Sequence, residues 1–188
     1  MKVKYGLKNC YYALATIAAD GTATYGAPKR LPGAVALTMD PAGEKTNFYA
    51  DDSIYFSVGG ANGYTGSLEI AMIPDSFREE CLGEIKQDGV YIETGVGSSQ
   101  AFALLFEFQS DENEIKHVLY NVTASRPSIA GNTKGETVEV KTDTLNLTAA
   151  TIHNAALDKD ITKARVADKT AAAFSTWYTS VYQPLVSA

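Results

Sequence analysis

Two histidines and two cysteines are the only imidazoles and thiols in this chain of 188 residues. His117 falls inside an alternating run that reads as a strand, and His153 in a stretch that reads as a loop. A hydrolytic triad needs one of them beside a nucleophile and a carboxylate, and no Gly-x-Ser-x-Gly elbow is present. Cys10 and Cys81 form no CxxC pair and no zinc-ligand spacing, so both read as small buried hydrophobes. The adjacent acids Asp51 and Asp52 invite a calcium or glycosidase reading. In the tetrapeptide Ala50-Asp51-Asp52-Ser53 between two apolar runs they read as turn residues. The stretch Gly59-Gly60-Ala61-Asn62-Gly63 lacks both the G-x-G-x-x-G spacing and the following helix that phosphate binding requires, and reads as a turn or bulge. Asn121-Val122-Thr123 and Asn146-Leu147-Thr148 match the glycosylation sequon but lie in strand-like runs. No catalytic, cofactor-binding or metal-binding residue is assigned, and no cofactor is expected: the chain does not read as an enzyme.

Charge narrows the partners. The net charge is -6, whereas a protein that grips phosphates should be basic. The N-terminus, Met1-Lys2-Val3-Lys4-Tyr5, has no apolar core of a signal peptide, and no run is long enough to span a membrane. Folding in a reducing cytoplasm is therefore expected. Tyrosine dominates the aromatics, 11 against seven Phe and one Trp, a bias that suits half-buried sheets and protein interfaces.

The elements that must position these side chains are mostly strands. Apolar residues recur with period two over 11–17, 35–39, 67–72, 102–108 and 115–124, which predicts strands with one buried face. Ser110-Asp111-Glu112-Asn113 joins the last two as an antiparallel hairpin. A further strand is expected from Glu136 to about Ala150. Its apolar phase slips between Val138/Val140 and Leu145/Leu147, which a bulge near 142–144 would repair. Pro74 to Gly83 reads as a short helix (about 74–82), with Pro at its start and Gly as its stop. A second helix is expected over 168–182, because Phe174, Trp177, Tyr178 and Val181 fall at i, i+3, i+4 and i+7 before Pro184. The candidate core is Phe102, Leu104, Phe106 and Phe108 with Phe174 and Trp177. The whole chain, 1–188, reads as one domain with no repeat and no linker.

One segment exceeds what a monomer needs. Residues 44–60 read as a long hairpin folded at Asp51-Asp52, and neighbouring rings at Phe48/Tyr49 and Tyr55/Phe56 put an aromatic on each of its faces. Such a hairpin must be covered on both sides, either within the sheet or by another subunit. Phe48, Tyr49, Ile54, Tyr55 and Phe56 are thus the candidate subunit interface.

The ordered set Tyr5-Gly6-Leu7-Lys8-Asn9-Cys10-Tyr11-Tyr12-Ala13, Leu31-Pro32-Gly33-Ala34-Val35, Phe48-Tyr49-Ala50-Asp51, Asn62-Gly63-Tyr64-Thr65-Gly66, Ile73-Pro74-Asp75-Ser76-Phe77, Phe102 to Phe108, His117-Val118-Leu119-Tyr120-Asn121 and Ala124-Ser125-Arg126-Pro127 resembles the major tail protein (tail tube protein) family of long, non-contractile-tailed phages and prophages of Gram-positive bacteria. The resemblance spans nearly the whole chain. It implies a mainly β fold: an antiparallel β-sandwich or barrel of the tail-tube type, one short helix, one C-terminal helix and a protruding hairpin. It implies a structural virion protein whose hexameric rings stack into a tube that conducts DNA without binding it specifically. Its partners would then be further copies of itself and other tail proteins such as tape measure, tail terminator and baseplate components, with assembly in the host cytoplasm and no membrane. The alternative from a different class is a β-sandwich binding module, a surface adhesin or a carbohydrate-binding domain. It shares the tyrosine richness and the period-two strands but would show a concave aromatic and Asn/Asp cluster on a monomer.

Overall fold

In chain order, the period-two runs and the turns between them fold into β1 (Tyr5–Ile17), β2 (Ala23–Tyr25), β3 (Lys29–Arg30), β4 (Ala34–Pro41), β5 (Lys45–Ala50), β6 (Ser53–Gly59), β7 (Tyr64–Ile70), α1 (Asp75–Cys81), β8 (Ile85–Gln87), β9 (Val90–Ile92), β10 (Phe102–Gln109), β11 (Ile115–Ala124), β12 (Asp143–Ala150), β13 (Ile152–Asn154), β14 (Lys159–Ile161), β15 (Lys163–Val166) and α2 (Ala172–Thr176). The computed structural model describes residues 5–43, 45–50, 53–59, 63–95, 99–109, 114–129, 131 and 141–185. Nine strands make one antiparallel sheet in the order β2-β1-β10-β11-β12-β7-β4, with β3 beside β1 and β15 beside β11. The sheet divides along β11: residues 116–119 pair with β15, and residues 121–124 pair with β12. The architecture is that of a β-sandwich, and no barrel closes among the described residues.

The expectation of one buried face per strand holds for β12, where Leu145, Leu147 and Ala149 are buried and their neighbours exposed. It fails for β10, every residue of which is buried from Phe102 to Glu107. A central strand of a sheet covered on both sides has no solvent face. Two cores result. One gathers Phe102, Leu104, Phe106, Leu119, Val122, Tyr12, Leu68, Ile70, Leu145 and Leu147 beneath α1. The other gathers Ala103, Leu105, Val118, Tyr120, Trp177 and Val181. Phe102, Leu104, Phe106 and Trp177 are buried, while Phe108 and Phe174 are half-buried. Trp177 therefore packs on the opposite side of the sheet from the Phe102 stripe.

α1 starts at Pro74, which stands at the N-cap, and stops at Gly83, whose φ of 73° suits a residue without a Cβ. It sets Phe77 edge-on between Tyr12 and Phe102, with ring centroids 5.0 and 5.3 Å apart. The C-terminal helix expected over 168–182 is much shorter, Ala172–Thr176, followed by turns. Hydroxyls explain this. Asp168 accepts hydrogen bonds from the Thr170 amide and hydroxyl at 2.8 and 2.7 Å. Ser175 and Thr176 donate to the Ala172 carbonyl, competing with the backbone ladder. Trp177, Tyr178 and Val181 of the expected stripe pack against the second core without a continuous helix, whereas half-buried Phe174 joins neither core and instead lies beneath the Lys116 ammonium, 3.8 Å from its ring centroid.

Two further expectations change. The strand expected from Glu136 begins at Asp143, and residues 132–140, with Val138 and Val140, lie outside the described residues. His153 is in β13 rather than a loop, paired opposite Asp160 of β14. A three-residue strand leaves too little periodicity to be read in advance.

Candidate assembly surfaces

The side chains most capable of chemistry are dispersed. Cys10 and Cys81 are buried free thiols, and burial pushes each up to about 12. His153 lies 3.3 Å from Asp160 in an exposed position. Among the described residues no group of three His, Cys, Asp or Glu side chains could hold a metal ion.

His117 has a different neighbourhood. Its ring stacks on Phe106 at 5.2 Å and meets Phe108 edge-on at 5.8 Å. This three-ring cluster floors a cleft of about 220 Å³ completed by Leu37, Met39, Tyr64, Leu119 and Lys163. The register explains the position. His117 pairs with Arg165 and Leu119 with Lys163, so β15 carries the floor of the first core beyond the cover of β4 and β7. Lys163 sits 4.5 Å over the Tyr64 ring and Arg165 is exposed beside it. Among the described residues no carboxylate forms an ion pair with either cation.

A second surface is the outer face of β4, β7, β12 and the adjoining half of β11. Cross-strand rows run Ala36–Glu69–Thr144, Thr38–Ser67–Asn146 and Asp40–Thr65–Thr148; the last continues to Thr123, and Asn121 follows opposite Ala150. The face is carpeted by small hydroxyl and amide side chains with two acids, and no Lys or Arg lies in these rows. β4 pairs only with β7, so its outer edge is open among the described residues. The strands approach closely here: a Cβ on Gly66 would fall 1.9 Å from the Thr38 carbonyl oxygen.

Besides β13 and β14, two further two-stranded hairpins lie outside the large sheet. β5 and β6 form one, and Ala50 pairs with Ser53 across Asp51-Asp52, which themselves lie outside the described residues, as does Glu44. Its register sets Phe48 opposite Phe56 and Tyr49 opposite Ile54, with the irregularity falling at Tyr55. The backbones of these five candidate interface residues are placed, while their side chains lie outside the described structure. β8 and β9 form the other hairpin, closed by Asp88 (φ 51°) and Gly89 (φ 80°). Ile85, Val90 and Ile92 on it are 55%, 59% and 42% exposed. The Asp-Gly pair between Ile85-Lys86-Gln87 and Val90-Tyr91-Ile92 is the signal that could have found it.

One polar cluster was also missed. Glu107, in the middle of an apolar stripe, is the buried charged residue among those described. Asn9 and Tyr178 donate to it at 2.8 Å, and Lys8 pairs with it at 3.2 Å. Lys8 also bonds Glu114 at 3.0 Å. That bond raises the Lys8 ammonium above its ordinary value; burial opposes it, and the Glu107 bond raises it further. Burial first, then the Glu107 hydrogen bond, raises the Tyr178 phenol. The cluster ties the first strand and the C-terminal segment to the central strand.

Two of the six candidate core residues, Phe106 and Phe108, thus floor an open cleft, and the cations on its lip come from a strand not expected in advance. A family model described as phage tail tube protein matches residues 1–187. The search of curated proteins found no match.

Proposed function

The chain belongs to the phage tail tube protein family, and on that premise we propose that it forms, as a single domain, hexameric rings that stack into the tube through which DNA leaves the virion. The family's role is structural rather than enzymatic, and its members self-assemble within a virion tail. The observation that carries the conduit reading is the face of β4, β7, β12 and β11. A wall of Thr, Ser and Asn with Asp40 and Glu69 offers phosphates no cation to hold them, so counterion-releasing contacts that would slow DNA do not form. The open edge of β4 allows a neighbour's strand to continue the sheet around a lumen, which removes an edge that would otherwise invite uncontrolled pairing. Phe48, Tyr49, Ile54, Tyr55 and Phe56 of the β5–β6 hairpin supply contact area between neighbouring subunits. Tape measure, terminator and baseplate proteins are the further partners, met in the host cytoplasm during assembly.

The test is direct. Purified protein, alone or with a tail-initiation extract, is imaged by negative-stain microscopy, and rings and tubes are expected. Thr38→Lys with Asn146→Lys should leave tubes intact yet slow DNA ejection from assembled particles. Unaltered ejection would remove this face from the lumen. Tyr49→Ala with Tyr55→Ala should fold normally but fail to polymerise, since truncating interface aromatics costs about 2 kcal/mol or more per contact.

A further inference from the structure

The β8–β9 hairpin and the aromatic cleft are two unexplained surfaces with complementary chemistry. In the hairpin, Ile85 faces Ile92 and Gln87 faces Val90, so the three exposed aliphatic side chains share one face. The other face holds Lys86, whose Nζ donates to the Tyr91 hydroxyl at 2.8 Å and lies 4.9 Å over its ring. A hairpin of six paired residues outside the main sheet gains nothing in the monomer from leaving its apolar face to water. Asp88 is at its tip, beside Val90. The cleft has the reverse character: an apolar aromatic floor of Phe106, Phe108 and His117 and a cationic lip at Lys163, with Arg165 lining an adjoining cavity that shares His117 and Lys163 with it. At about 220 Å³ the cleft is large enough to admit an aliphatic side chain. The neighbouring acid, Asp160, is already engaged by His153.

The two surfaces lie at opposite poles. The hairpin is moored by Glu79, which pairs with Lys86, and at its far end by Glu93, which pairs with Arg126 at 2.8 Å, just beyond the last residue of β11. The cleft surrounds His117 near the first residue of the same strand. Seven residues from His117 to Ala124 at about 3.3 Å each set them about 23 Å apart, before the two further residues to Arg126 are added. The hairpin cannot fill the cleft of its own subunit. A plug at one pole and a socket at the other make a heterologous contact that repeats without closing on itself, as a column requires.

We propose that the β8–β9 hairpin tip of one subunit seats in the aromatic cleft of a second copy, Val90 against Phe106, Phe108 and His117 and Asp88 against Lys163 and Arg165, and that this contact stacks one layer of the tube on the next. It rests on the tube reading above and assigns the axial contact within it.

The experiment uses the full chain and four preparations: wild type, the plug variant Val90→Asp, the socket variant Lys163→Glu/Arg165→Glu, and an equal mixture of the two variants. All substituted positions are exposed, and circular dichroism melting checks that each folds. Under conditions in which wild type forms tubes, each variant alone should yield at least tenfold less pelletable tube. In the mixture, an intact plug meets an intact socket once. Sedimentation velocity should then show a two-layer complex that neither variant forms alone, and no tubes. Asp88→Asn, which keeps a residue at ease with positive φ, should form tubes that dissociate at lower salt than wild type. Normal tube yield from Val90→Asp, or no complex in the mixture, overturns the docking and leaves the tube reading standing. A wild-type chain that forms no tubes even with tail-initiation extract removes both.

Discussion

Replacing Lys8 by Met isolates what the buried carboxylate of Glu107 requires. The ammonium lies 3.2 Å from a carboxylate that is 3% exposed, while Lys8 itself is 34% exposed. Removing one partner of a buried ion pair costs about 3–5 kcal/mol because the other charge is left uncompensated. Two features reduce this: Lys8 is partly screened by water, and Asn9 and Tyr178 continue to donate to the carboxylate. About 2 kcal/mol remains, which for a chain of this size lowers the melting temperature by about 4–8 °C. The assay is a double-mutant cycle by thermal denaturation with Lys8→Met, Glu107→Gln and the pair. If the loss comes from a stranded charge, Glu107→Gln removes the need for Lys8. The double variant should then be less destabilised than the sum of the singles, with a coupling of about 1–2 kcal/mol. Strict additivity, or a Lys8→Met melting point within about 1 °C of wild type, would refute the reasoning and reduce the pair to a surface contact.

Tyr120 has a buried hydroxyl with no hydrogen-bond partner among the described residues. Tyr120→Phe should therefore raise the melting temperature by a few degrees, about 1 kcal/mol of stability, and a fall would show that the hydroxyl is satisfied. Gly66→Ala places a methyl against the Thr38 carbonyl. It should cost about 1–3 kcal/mol as β4 is pushed from β7, read in the same assay, and an unchanged melting point would mean the strands separate freely. Burial raises the Cys10 and Cys81 thiols from 9.0 to about 12. An acid raised on folding keeps its stabilising contribution below the unfolded value, so the contribution of these two thiols should be constant below pH 9 and be lost between about 9 and 12. Native protein at pH 8 should also resist thiol reagents until denaturant is added, and rapid native labelling would contradict the burial of both thiols.

Period two in the long strands was written in the sequence because side-chain direction alternates locally, wherever the strand sits. The same locality made α1 legible, from Pro74, Phe77, Cys81 and Gly83. The ordered motifs carried the family. The C-terminal helix was misjudged because i, i+3, i+4 spacing records which residues face inward, not whether Ser175 and Thr176 leave the backbone ladder intact. Only tertiary structure placed Trp177 and Phe102 on opposite sides of one sheet, since an apolar residue does not encode which core it enters. Glu107 was hidden for a similar reason: its partners Lys8, Asn9 and Tyr178 lie about a hundred residues before it or 71 after. The cleft and the hydroxyl face depended on register, which brought Lys163 opposite Leu119 and Asn146 opposite Ser67. Register is settled by the sum of pairings across a whole sheet, and no single stretch of chain contains it.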